Sequence, residues 1–148
     1  MNEYRAFFVD TNIFIRFFAE DNAIMARECD EFFIACSEEN ITIVISHAVL
    51  AEIVWVLTSR YTISRVDVAD LIKRIVSFQN IVIDNDTDIS TAVEVFANRS
   101  VKFIDALIAS NPKIASGELP IVSYDKDFDT LGVKRLEPAQ VLKRLAKK

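Results

Sequence analysis

Glycine and proline are nearly missing from this chain, with two and three residues among 148. So little loop-forming material implies a helix-rich fold with short connections. Cysteine is as scarce. Cys29 and Cys36 fall in one expected helix, seven residues and therefore about 10 Å apart along its axis, beyond disulfide reach, so both should be reduced and partly buried. A single histidine and no Cys-x-x-Cys exclude a zinc site of ordinary type. Positive charge is also in short supply: a net charge of −5 and a pI near 4.9 argue against a non-specific nucleic-acid binder, which would carry a basic footprint. No secretory leader is expected, because Asp10 interrupts the first apolar stretch and an Ala-x-Ala cleavage pattern is missing. The longest apolar run, Ile41 to Leu57, contains His47 and Glu52 and reads as a strand followed by a buried helix rather than a membrane span. These absences together predict a cytoplasmic protein with no membrane partner.

What is present is apolar and regularly patterned. Hydrophobic residues make up 51% and charged residues 26%, a globular balance, and the length suits one domain over residues 1–148 that buries about two-thirds of its unfolded surface. Expected strands are "EYRAFFV" (3–9), "ITIVI" (41–45), "NIVID" (80–84) and "LPIVSY" (119–124). Between them lie expected helices over 11–19, capped by Asp10 or Thr11, and over 21–39, opened by Asp21, with Ile24, Cys29, Phe32, Phe33 and Cys36 on the buried side. Ser46 should cap the helix through Leu57, and Ser64 with Asp67 resembles a capping box before 65–78. Asp86 or Thr87 should cap 88–99, the helix over 101–110 should stop at Asn111-Pro112, and Pro138 should start the last helix, 139–148. Strands that alternate with helices and lack period-2 polarity predict an α/β fold: three layers, α/β/α, around a central, mostly parallel sheet. Ligands in such folds bind at the carboxyl ends of the strands.

Four acids sit in unfavourable company. Asp10 follows "AFFV" and Asp125 follows "IVSY", each at the carboxyl end of a strand; Glu52 lies within "HAVLAEIVWVL" and Asp105 within "FIDALIA". Taken singly, each has a bland explanation: a strand-end Asp caps a helix, Glu52 is exposed or ion-paired, and Asp105 bonds a neighbouring helix end. Taken together they form two strand-end acids and two helical acids able to flank the same edge. Carboxylates so gathered repel one another and raise each other's pKa values unless a cation neutralises them. Hard oxygen ligands without His or Cys suit Mg²⁺ or Mn²⁺.

The segments "FFVDTNIFIRFF", the Glu52 helix, "FIDALIA" and "IVSYDKDFDTL", in that order, make the chain resemble the PIN domain over essentially its whole length, and in particular the VapC-type toxin ribonucleases of prokaryotic toxin–antitoxin modules. The resemblance implies a PIN-like fold whose four acids, Asp10, Glu52, Asp105 and Asp125, are catalytic and hold Mg²⁺ or Mn²⁺. Asn12 and Ser123 would support them, and Asp127 would be auxiliary, as an outer ligand or a cap for the turn into Phe128. The implied reaction is hydrolysis of an RNA phosphodiester by an activated water, leaving a 5′-phosphate and a 3′-hydroxyl. Implied partners are an RNA substrate, a second copy of the chain as a homodimer, and a cognate antitoxin.

The acidic pI fits this reading if part of the charge is concentrated in a metal-neutralised pocket. Arg16 and Lys126 are then candidates for phosphate contact. Tyr4, Trp55, Tyr61 and Tyr124 invite a base-stacking role, but Trp55, inside an apolar helix, is expected in the core or at a dimer contact. His47 is expected to be structural. A receiver-type domain would need a phosphoacceptor Asp and a Lys at the ends of central strands, and a dehalogenase-type phosphatase would need Asp-x-Asp where the chain has Asp10-Thr11-Asn12; both fit poorly. A catalytically inactive PIN-fold protein-binding module is the stronger alternative.

Overall fold

A computed structural model describes residues 4–147. Its described strands are β1 (Ala6–Val9), β2 (Thr42–Ile45), β3 (Ile81–Ile83), β4 (Ile121–Val122) and β5 (Arg135–Leu136). The helices are α1 (Thr11–Ala19), α2 (Ala23–Glu38), α3 (His47–Ser59), α4 (Arg65–Ser77), α5 (Ile89–Asn98), α6 (Phe103–Ala109), α7 (Pro112–Ala115), α8 (Asp127–Thr130) and α9 (Pro138–Leu145). The strands form one sheet of order β3-β2-β1-β4-β5, parallel throughout. Phe8 stands level with Val44 on one side and Ile121 on the other.

That order explains both the layering and the site. The chain winds from β1 outward to β3, then crosses back to β4 and β5, so right-handed crossovers place α1–α4 on one face and α5–α8 on the other. The packing agrees: α1 meets α2 and α3, α3 meets α4 and α2 meets α9, while α6 meets α5, α7 and α8. With both faces covered, Phe7, Phe8 and Val9 are all buried, as are Ile43, Val44 and Ile45, which is why these strands read as continuous apolar runs. The winding reverses between β1 and β4, and such a switch point opens a crevice at the strand carboxyl ends. A receiver-type domain has strand order 2-1-3-4-5, so this topology removes that alternative.

Several expected boundaries move, each for a local reason. Glu3 and Lys148, the ends of the expected first strand and last helix, lie outside the described residues; β1 begins at Ala6 and α9 ends at Leu145. α2 is capped by Asn22, whose Oδ1 accepts from Met25 N at 3.1 Å, and not by Asp21, whose carboxylate is taken by Arg16 (2.9 Å) and Tyr61 (2.7 Å). Cys29, Phe32 and Cys36 are buried and Phe33 half-buried, but Ile24, in the first turn, is 74% exposed. Both thiols are free, and burial pushes Cys29 up to about 11 and Cys36 up to about 12. Ser46 and Ser64 cap α3 and α4 as expected, accepting from Val49 N and Asp67 N. α5 begins at Ile89 and is capped by Asp88, not by Asp86 or Thr87: Asp88 Oδ1 accepts from Thr91 N at 3.2 Å and its Oδ2 from Thr91 Oγ1 at 2.8 Å.

Asn111-Pro112 ends α6 but opens another turn: Asn111 Oδ1 accepts from Lys113 N and Ile114 N, and Pro112 stands at the first position of α7. β4 is shorter than expected, since Pro120 has no N–H and offers only its carbonyl, to Phe8 N. The scarcity of glycine shows in the backbone, where left-handed φ falls on Glu20, Asn40 and Thr62 as well as on Gly117 and Gly132. Among the described residues no helix is long and apolar enough to cross a membrane.

Candidate active site

Asp10 leaves β1 at the switch point and caps α1. Its Oδ1 accepts from Thr11 N at 2.8 Å; its Oδ2 accepts from Ser123 Oγ at 2.7 Å and from Asn12 Nδ2 at 3.1 Å. Ser123, fully buried just beyond β4, joins the two strand ends, because its hydroxyl also accepts from Asn12 Nδ2 at 3.0 Å and from Asp125 N at 2.9 Å. Asn12 closes the loop by accepting from Tyr124 N at 3.2 Å. One hydroxyl and one amide therefore fix Asp10 and the backbone of Asp125 relative to each other. Asn12 and Ser123, expected to support the acids, both bond Asp10 directly.

Asp105 comes from α6 and is 1% exposed. Carboxylate oxygens of Asp105, Asp125 and Asp127 lie within 4.8 Å of one another. Asp127 thus brings its own carboxylate to the cluster, while its backbone N–H donates to Asp125 Oδ1 at 2.9 Å. It stands at the first position of α8, a helix too short to leave a periodic trace in the sequence. Glu52 is half-buried on α3 and, with Asp10, lines a groove of about 360 Å³ that Arg16, Trp55, Arg60 and Lys102 also line. None of the four expected acids is remote: Asp10, Asp125 and Glu52 all act electrostatically on Asp105.

The electrostatics follow from this crowding. Burial is the largest cause raising Asp10 to about 6; the Ser123 and Thr11 hydrogen bonds oppose it and Glu52 adds to it. Burial likewise raises Asp105 to about 7, with Lys102 lowering it and Asp10, Asp125 and Glu52 raising it further. Among the described residues, two buried side-chain oxygens have no hydrogen-bond partner, Asp105 Oδ2 and Thr11 Oγ1, and Thr11 sits beside Asp10. An unpaired buried carboxylate oxygen facing other carboxylates is an expensive arrangement for a protein alone. Hard oxygen donors without nitrogen or sulfur, with one oxygen left for a further partner, fit a divalent cation of the Mg²⁺ or Mn²⁺ kind.

Lys102 is the residue that sequence reasoning missed. It stands at the N-cap of α6, three residues before Asp105, with its ammonium 3.7 Å from Glu52 Oε2. Desolvation pulls its pKa down, but Asp105, Glu52, Asp10 and Asp125 outweigh that and raise it. A cation one turn before a buried helical acid was the available signal.

The two cations expected at the site are placed less centrally. Arg16 lines the groove with its guanidinium engaged by Asp21 at 2.9 Å, and Lys126 is exposed at the N-cap of α8, where its charge reaches Asp129. Tyr124 and Tyr61 are held by carboxylates, through bonds of 2.7 Å to Glu28 and to Asp21, and Tyr4 lies under Lys134. His47, expected to be structural, is exposed at the start of α3 and pairs with Asn85. Trp55 is not in the core: it is 59% exposed, because α3 buries only the stripe Val49, Ile53 and Leu57.

Ser123→Ala tests the bridge. Without the hydroxyl, Asp10 keeps its burial and loses a bond that favours its ionised form, so its pKa rises further. If these acids hold an ion, its affinity should fall by roughly 10–100-fold, read by Mn²⁺ titration calorimetry. An unchanged Mn²⁺ affinity would show that the Ser123–Asp10 bond organises nothing.

The chain is similar to several known proteins. A curated relative named VapC ribonuclease, from Aquifex aeolicus (strain VF5), is 22% identical over 130 residues, covering 88% of this chain and 95% of the relative. The solved structure of VapC20 from Mycobacterium tuberculosis, described as a Sarcin-Ricin loop cleaving toxin, superposes with TM-score 0.66 at 17% identity, over 86% of this chain and 95% of that one. PAE2754 from Pyrobaculum aerophilum superposes with TM-score 0.67 at 19% identity, over 97% and 96%. VapBC2 from Rickettsia felis, solved bound to a DNA fragment from its promoter, gives TM-score 0.59 at 18% identity, over 89% and 98%. At these identities the solved structures establish a shared fold. The sequence model of the PIN domain matches residues 7–134, which hold every acid of the cluster, and the chain belongs to the PIN domain family.

Proposed function

We propose that the chain, as one PIN-like nuclease domain over residues 1–148, is a Mg²⁺- or Mn²⁺-dependent endoribonuclease and the toxin of a toxin–antitoxin pair. The observation that carries this reading is the gathering of Asp105, Asp125 and Asp127 within 4.8 Å, with Asp105 Oδ2 buried and unpartnered and Asp10 and Glu52 alongside. The curated relative named as a ribonuclease and the neighbour described as a cleaving toxin support the substrate class.

In this reading Asp10, Glu52, Asp105 and Asp125 hold the ion, with Asp127 as a further carboxylate donor. When bound, the ion supplies an acidified water and neutralises charge on the leaving oxygen of an RNA phosphodiester. Ser123 and Asn12 keep Asp10 ionised and oriented. Lys102, the cation nearest the acids, takes a phosphate oxygen of the substrate, and Arg16 and Lys126 serve as outer phosphate contacts. The assembled VapBC2 neighbour supports a cognate antitoxin for this chain too. A homodimer is supported by the exposed apolar stripe Ile89, Val93 and Phe96 on α5, continued by Phe103, whose ring packs edge-on against Phe96 at 5.5 Å.

The test is cleavage of a broad RNA panel by wild type and Glu52→Gln, with Mg²⁺, with Mn²⁺ and with chelator. The expected result is metal-dependent cutting that leaves 5′-phosphate ends, reduced by more than roughly 100-fold in the Gln variant, since outer-shell partners alone are worth 10–100-fold. Equal rates for the two proteins, or no cutting by the folded wild type under any condition, would favour a protein-binding module instead.

A further inference from the structure

One groove is lined by Asp10, Glu52 and Lys102 together with Trp55, Arg60 and Tyr61. Trp55 follows Glu52 by three residues on α3, so the indole lies on the neighbouring helix surface about one turn further along. It is 59% exposed, and the Arg60 guanidinium sits 5.9 Å from its ring centroid, in cation–π range. The large flat ring therefore keeps most of its surface open, beside a positive charge and next to a site suited to a phosphodiester.

We propose that Trp55 is the stacking platform for the unpaired base of the nucleotide adjoining the scissile phosphate, and that Arg60 contacts the following phosphate. This rests on the ribonuclease reading and adds a substrate subsite to it. Charge complementarity favours RNA as the occupant: Lys102 and Arg60 line the same groove as the indole and can take phosphates, while the indole takes an apolar π face that only an unstacked base presents. The subsite selects single-stranded RNA over duplex and tolerates any base, because every base has a π face.

The chain has a single tryptophan, so its emission reports on this residue alone. In Mg²⁺, the Asp105→Asn protein is titrated with a mixed-sequence single-stranded RNA of about ten nucleotides, within the range of site sizes for such grooves. The expected result is quenching of Trp55 emission by the single strand and little quenching by the same RNA annealed to its complement. Trp55→Ala, followed by anisotropy of the labelled RNA, should weaken binding by roughly 5–100-fold, Trp55→Phe should retain most of the affinity, and Mn²⁺ affinity should be unchanged in both.

RNA binding without quenching, or full affinity in Trp55→Ala, overturns the platform even where the wild type cleaves RNA. So does a Trp55→Ala variant that only converts a dimer to a monomer. Failure of the wild type to cleave or bind any RNA overturns the ribonuclease reading as well, and the two failures are thereby told apart.

Discussion

Asp105→Asn is expected to abolish RNA cleavage and, at the same time, to make the metal-free protein harder to unfold. The two effects share one cause. Asp105 is 1% exposed with Oδ2 unpartnered, and burial with neighbouring carboxylates raises its pKa from 3.8 to about 7. Held ionised without a metal, such a group costs the fold up to ~4 kcal/mol, an upper bound because Lys102 and relaxation share the load. Asparagine keeps the shape, removes the charge and can donate to the adjacent carboxylates. The metal-free variant should gain ~1–3 kcal/mol, or roughly 3–10 °C in Tm for a chain of this length. Turnover with metal should drop on the order of 10³-fold or more if Asp105 is, as proposed, an ion ligand. Gel-based cleavage and thermal melts in chelator check both arms. Retained cleavage would remove Asp105 from the site, and a loss of several kcal/mol would make it a structural residue.

The second large effect is on pH dependence. Asp10 at about 6 and Asp105 at about 7 both titrate above the ordinary 3.8. Between 3.8 and 7 the folded chain therefore binds more protons at these groups than the unfolded chain does. Stability that depends on them is fully present below 3.8 and is lost as pH rises through 6 and then 7. The metal-free protein should thus melt lower at pH 8 than at pH 5. On the proposed reading Mn²⁺ should reverse the trend, because an ion held there takes the ionised carboxylates and protons compete with it. At a hundredfold excess over Kd the ion adds ~2.7 kcal/mol, and this gain should shrink toward pH 5. Melting curves across pH 5–8, with chelator and with Mn²⁺, give the answer. A metal-induced rise in Tm independent of pH would mean that the ion binds away from Asp10 and Asp105.

The layers and the acids were legible in the chain for physical reasons. Strands buried on both faces must be apolar at consecutive positions, so "AFFV" and "ITIVI" declared a covered parallel sheet. An acid within such surroundings is costly unless something compensates it, so Asp10 and Asp105 stood out. Other features left no periodic trace. β5 and α8 span only two and four residues, too few to show a repeat, and α8 carries Asp127 into the cluster. Capping choices turned on distant partners: Asp21 was drawn away by Arg16 and Tyr61, which no reading of residues 21–25 contains. Lys102 had only its place one turn before Asp105 to mark it, and its 3.7 Å approach to Glu52 depends on how α3 and α6 come together. A core place for Trp55, one of the two expected, failed because α3 is apolar on nearly every side while a helix covering a sheet buries one stripe, here Val49, Ile53 and Leu57.

The most direct measurement is anomalous diffraction from crystals of the protein grown with Mn²⁺. The expected result is a peak within roughly 2.0–2.3 Å of carboxylate oxygens of the Asp105, Asp125 and Asp127 cluster, with Asp10 or Glu52 turned toward the same ion. Peaks confined to the outer surface, with Asp105 Oδ2 still unpartnered at saturating Mn²⁺, would contradict a shared ion among these acids.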